Sequence, residues 1–162
     1  MKANILPSEL AALVGTIDPD NYATGAQNSD WVDMQDWEAV KTTLLIGDWG
    51  DTTSTIDMKL EQATSSGGAG AKDITGKAIT QIASGSPVAS DKQAIINVRA
   101  SELDVNNDFQ FVRAVATGAD TASPADSPGG INTDYGAVLL GFGPRYGPAS
   151  DNDLASVVEI IS

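Results

Sequence analysis

Ser54-Thr-Ile-Asp-Met-Lys-Leu-Glu-Gln62 is the stretch that decides the fold class. Ile56, Met58 and Leu60 alternate with Asp57, Lys59 and Glu61. Successive side chains of an extended chain point to opposite faces, so a period of two marks a strand with one dry face and one wet face. The stretch runs into Ala63-Thr-Ser-Ser-Gly-Gly-Ala-Gly-Ala-Lys-Asp73, whose small residues offer nothing to a core and read as a loop between strands.

The same grammar of short strand and Gly/Ser/Ala/Asp loop extends in both directions. Upstream, residues 31–34 and 39–46 read as strands, the second rich in β-branched and aliphatic side chains and closed by Gly47. Downstream, strands are expected at residues 77–82, 93–99, 109–115, 136–142 and 155–161. No long amphipathic helix and no internal repeat of solenoid or propeller length is present. About eight short strands joined by long polar loops describe an all-β chain, either a two-sheet sandwich or a closed barrel. A jelly-roll-like two-sheet sandwich is the expected fold, as a single domain over residues 31–162. Residues 1–30 read as a lead-in arm. Within it Pro7-Ser-Glu-Leu-Ala-Ala-Leu13 forms a short helical turn with Ser8 as a candidate cap, and Asp18-Pro19-Asp20 forms a turn. The longest excursion, residues 118–134, is small and polar and reads as a loop tip.

Composition narrows the chemistry. A chain of 162 residues fits one domain that buries roughly 70 % of the surface its unfolded form exposes. There is no cysteine, which excludes disulfides and thiolate metal sites, and no histidine, the commonest general base and metal ligand. Serine–histidine and cysteine–histidine hydrolases are excluded with them. The net charge of −13 comes mostly from aspartates scattered through loops, and such a surface repels phosphate backbones. Nucleic acid is therefore not expected as a partner, whereas a more basic protein surface is. No apolar run reaches the ~18–20 residues of a membrane span, so no membrane partner is expected. Met1-Lys-Ala-Asn-Ile-Leu-Pro7 lacks the unbroken apolar core of a signal peptide, and synthesis without Sec secretion is the expectation.

Three motifs come near to known chemistry and fall short. Asp104-Val-Asn-Asn-Asp108 opens like a calcium loop, but Phe109 and Val115 stand where an EF-hand needs glycine and glutamate. Gly67-Gly-Ala-Gly-Ala-Lys-Asp73 misses the spacing of a phosphate-binding loop. The 22 acidic residues allow many accidental carboxylate pairs, while aromatics, the usual platforms for sugars, are only 6 % of the chain. No catalytic, cofactor-binding or metal-ligating residue is assigned. Candidate interface residues are Trp31 and Trp37, which otherwise anchor the sandwich edge, and Arg145 and Tyr146, carried on the rigid loop Gly143-Pro-Arg-Tyr-Gly-Pro148.

Residues 59–81, Lys92-Gln-Ala-Ile-Ile-Asn-Val-Arg-Ala-Ser-Glu-Leu-Asp104 and Arg145-Tyr-Gly-Pro-Ala-Ser150 together resemble small structural proteins of tailed bacteriophages. The likeness spans roughly residues 31–161. It implies a head decoration, or cement, protein of the virion, with a neck or tail component as the alternative; a calcium- or carbohydrate-binding β-module, resting instead on the aspartate turns and tryptophans, stands behind both. It further implies a homo-oligomer, a trimer by preference, that is made in the host cytoplasm. Such a protein binds the major capsid protein at the capsid surface, with no cofactor and no catalytic residue. Residues 118–134 form a longer insertion than that pattern carries.

Overall fold

The structure, a computed structural model, describes residues 5–85, 90–120 and 133–161. Among these residues a four-residue helical turn, Pro7–Leu10, leads into ten strands. They are β1 (Ala11–Asp20), β2 (Gly25–Asn28), β3 (Val32–Asp33), β4 (Trp37–Ile46), β5 (Ser54–Ala63), β6 (Lys72–Ala78), β7 (Ile82–Ala83), β8 (Gln93–Arg99), β9 (Phe111–Asp120) and β10 (Tyr135–Pro144). One sheet has the order β1-β10-β4-β8; the other has β2-β9-β5-β6, with β3 added on β9 and β7 on β5. Every pairing is antiparallel.

Setting aside the two-residue strands β3 and β7 leaves eight, and their pairing is nested. The first strand pairs with the last (β1·β10), the second with the second last (β2·β9), then β4 with β8 and β5 with β6. A long antiparallel ribbon folded over itself into two sheets has this order, which is the jelly roll. The expected all-β, two-sheet, jelly-roll-like class is therefore the observed one.

The core fills the space between the sheets. Val40, Leu44 and Leu139 face inward from the first sheet; Ile56, Leu60, Val112 and Ala114 face them from the second. β5 buries Ile56, Met58 and Leu60 while Asp57, Lys59 and Glu61 stay partly in water, as their alternation requires. Each fully buried aliphatic side chain contributes about 1.5–3 kcal/mol of transfer free energy.

Several boundaries are corrected. Residues 11–28 are not an arm leading into a domain at 31. Ala11–Asp20 is an integral strand that buries Ala12, Val14 and Ile17, and Gly25–Asn28 pairs with β9. A register shift between Leu13 and Gly15 breaks the alternation of β1 and hides it from a period-two reading. Asp18-Pro19-Asp20 accordingly ends a strand instead of making a turn. The helical turn is closed by Glu9, whose carboxylate accepts the Leu6 N–H at 2.7 Å, and not by Ser8. The strand expected at residues 77–82 lies earlier, at Lys72–Ala78. Residues 155–161, strand-like in sequence, form no strand: Leu154 donates its N–H to the Leu13 carbonyl on β1 at 2.8 Å, and the chain then turns, the Val157 N–H donating to the Leu154 carbonyl at 2.9 Å. Of the long excursion, Gly118 to Asp120 belong to β9, and residues 121–132 lie outside the described residues.

Candidate interface surfaces

The outer face of the second sheet neutralises its own charge. Glu61 on β5 stands opposite both Asp73 on β6 and Arg113 on β9. Lys59 Nζ lies 2.6 Å from Asp73 and 3.1 Å from Glu61. Arg113 donates from Nε and Nη2 to a single Glu61 oxygen, at 3.0 and 2.8 Å. Partial burial pushes the Glu61 carboxyl up, but the Arg113 and Lys59 bonds outweigh it and hold the group below its ordinary value. The Arg113 guanidinium also lies 4.6 Å from the centre of the Trp31 ring, a cation–π contact. Trp31 is half-buried, and it packs against the loop at Gly68, where a Cβ would fall 3.0 Å from Nε1. Its ring is thus already occupied by the chain itself.

Trp37 is no interface anchor. It is 3 % exposed and belongs to the hydrophobic core, lying against Gly141. The two tryptophans flank the same short segment but face different surroundings, so the structure does not bring them together.

Arg145 and Tyr146 remain in the open. Gly143 and Gly147 both adopt positive φ, +64° and +65°, which lets the chain turn tightly on either side of them. The Arg145 N–H donates to the Asp36 carbonyl at 2.9 Å, pinning the loop to the turn before β4. Tyr146 is 74 % exposed, and the Arg145 guanidinium makes no ion pair among the described residues. Arg145 borders a cleft of about 410 Å³ between the sheet ends, floored by Met34, Leu103 and Phe109. At its rim Gln35 Nε2 donates to Gln110 Oε1 at 2.5 Å. The cleft combines this apolar floor with one cation and one acid, Arg145 and Asp108.

The acidic turn at residues 104–108 is committed internally. Lys72 Nζ sits 2.6 Å from Asp104 and 4.0 Å from the Phe109 ring centre, and Asn107 donates to the other Asp104 oxygen at 2.8 Å. These bonds hold the Asp104 carboxyl below its ordinary value, the Lys72 bond most. Nearby, Lys77 bonds Glu102 and the Asn97 carbonyl, each at 2.8 Å. Among the described residues no three acidic groups gather as a metal site would need.

The outer face of the first sheet was missed by sequence reasoning. Leu45, Ile95 and Phe142 are exposed there, and Leu13, Val138 and Leu140 are half-buried. The signal lay in the continuous apolar run Ala137-Val-Leu-Leu140. Such a run marks a strand that is apolar on both faces, and it asks what covers the second one.

No family model and no curated protein matches the chain. Among solved structures it is similar to a chain of Desmodium yellow mottle tymovirus at 12 % identity, covering 92 % of this chain and 99 % of that one, with a TM-score of 0.41. A chain of Broad Bean Stain Virus is similar at 10 % identity, covering 92 % and 93 %, with a TM-score of 0.44. A third similarity is to the Cowpea mosaic virus top component, naturally occurring empty particles, at 11 % identity over 89 % and 86 %, with a TM-score of 0.37. The fold assignment rests on the strand order itself.

Proposed function

We propose that this chain is a non-enzymatic structural protein of a virus particle, and specifically a head decoration protein of a tailed bacteriophage. In this reading it self-associates, as a trimer, and binds the major capsid protein at the capsid surface. The carrying observation is the loop with Arg145 and Tyr146. It is exposed, held by the Asp36 carbonyl, and falls within the run Arg145-Tyr-Gly-Pro-Ala-Ser150 that resembles phage structural proteins. Arginine and tyrosine dominate interface energetics because each combines a large contact area with directional hydrogen bonding. A scaffold that neutralises much of one face and presents such a loop needs no single strong site. Several modest contacts on a lattice add through tethering.

The test is to purify virions and locate the protein by cryo-electron microscopy, then rebind the free protein to heads stripped of it. Density on the capsid surface and saturable rebinding are expected. Occupancy should fall with salt, because exposed charge pairs are screened over ~8 Å at physiological ionic strength, yet persist through apolar contacts. Arg145→Ala and Tyr146→Ala should lower occupancy without shifting the melting temperature. Density confined to the neck or tail would replace the capsid assignment with the alternative.

A further inference from the structure

We propose that the outer face of the four-stranded sheet is the docking surface for a second copy of this chain, which lays residues 157–161 across it with Glu159 against Lys41 and Arg99. The inference rests on the structural role proposed above and names the surface that would serve it.

The register builds that face row by row. Thr16, Val138, Thr43 and Ile95 stand side by side across β1, β10, β4 and β8; so do Leu13, Leu140, Lys41 and Asn97; so do Ala11, Phe142, Ala39 and Arg99. Leu45 lies in the next row on β4, opposite Gln93. Within these rows no residue is acidic, in a chain with 22 acidic residues and a net charge of −13. Lys41 and Arg99 make no ion pair among the described residues, whereas Lys59, Lys72, Lys77 and Arg113 each do. Leu45 and Ile95 are 45 % and 53 % exposed. An apolar patch with two cations outside any ion pair, Arg99 feeling only the charge of nearby Glu102, is the complement of an apolar segment that carries an acid.

The chain contains that segment. Residues 157–161 read Val-Val-Glu-Ile-Ile, with Val158 97 % and Ile161 87 % exposed, and they make no strand. In an extended conformation Val157, Glu159 and Ile161 share a face, so two aliphatic side chains flank the carboxylate. On the sheet, Lys41 stands beside Leu140, with Ile95 and Phe142 on the neighbouring rows. Apolar–acidic–apolar therefore meets apolar–cationic–apolar.

Charge selects a second copy as the occupant. Copies carrying −13 repel one another over most of their surface, and this face is where another copy's acidic segment is attracted. Face and segment are different patches, so the contact is heterologous. Each copy offers one of each, and the contact propagates into a ring or a lattice instead of stopping at a two-fold dimer.

The test is sedimentation velocity on the purified full chain, with circular dichroism melts to confirm that each variant stays folded. Concentration-dependent self-association is expected. Glu159→Lys should weaken it by about tenfold or more in dissociation constant, as should Lys41→Glu combined with Arg99→Glu. The three changes together should restore it. Ile161→Asp, a variant that does not touch the charge pairing, should also dissociate the assembly. A monomer at all concentrations, including one whose segment folds back onto its own sheet, overturns the inference. So do charge reversals without effect, or reversals that do not rescue each other. A chain that incorporates into particles as a monomer would sink this inference, and the trimer with it, while leaving the capsid-binding structural role standing. Rescued self-association in a chain absent from particles would do the opposite.

Discussion

Trp37 lies across Gly141 with no room for a side chain between them: a Cβ on Gly141 would stand 2.5 Å from the indole. β4 and β10 pair along this stretch, Val40 opposite Gly141 and Trp37 opposite Pro144, so the close approach belongs to the sheet itself. The ring cannot swing aside, because it is packed in the core. Gly141→Ala should destabilise by about 1–3 kcal/mol through overpacking. Trp37→Ala should cost about 3–5 kcal/mol through the cavity it leaves. Urea melts check both, and the double variant should lose less than the sum because the clash disappears with the ring.

The two faces of β5 predict opposite sensitivities. Leu60 is fully buried, and Leu60→Ala should cost about 2–5 kcal/mol. Lys59 is ion-paired but partly exposed, and its pairs are screened by solvent, so Lys59→Ala should cost under about 1 kcal/mol. Equal effects in thermal melts would overturn the register of the strand.

Acid should weaken the fold through three carboxylates. Glu61, Glu102 and Asp104 are each held below their ordinary values. Bonds from Lys77 and the Arg99 N–H do this at Glu102, and Lys72 leads at Asp104; at Glu61 burial opposes the shift and the Arg113 and Lys59 bonds outweigh it. A depressed folded-state pKa means that the unfolded chain binds protons first. The stability these groups contribute is present above their unfolded values, near pH 4 to 4.5, and is lost as pH falls through the folded ones. Denaturant melts should be flat from neutral pH to about 5 and fall below about 4. Glu61→Gln should make the decline shallower.

Alkali should weaken it through Tyr135. Burial, and secondarily the neighbouring Tyr22, push this phenol up to about 12. The two rings pack edge-on at 5.1 Å, and the Tyr135 hydroxyl has no hydrogen-bond partner among the described residues. The folded-state value lies above the unfolded one, near 10. The stabilisation is therefore complete below pH 10 and is lost as pH rises from there toward 12. Lys59, raised chiefly by its Asp73 bond, acts in the same direction. Tyr135→Phe keeps the ring and removes the titration. It should be close to neutral at pH 7 and should delay alkaline unfolding followed by circular dichroism.

By itself the sequence determined the fold class, the inward residues of β5 and the extent of Gln93–Arg99, because a period of two is a local property that survives any choice of partner. It also removed histidine and cysteine chemistry outright. Tertiary structure alone decided which strands met. β1 was hidden by its irregular register near Gly15 and became a strand only because β10 lay beside it. Residues 155–161 carry a strand's composition and form no strand, because the chain turns at Leu154–Val157 just after Leu154 bonds the Leu13 carbonyl on β1. Trp31 and Trp37 are the same residue type six positions apart, yet one rests on Arg113 at the surface and the other on Gly141 in the core. Their environments come from residues 82 and 104 positions further along the chain. Pairing and burial are non-local, and no window of sequence contains both partners of such a contact.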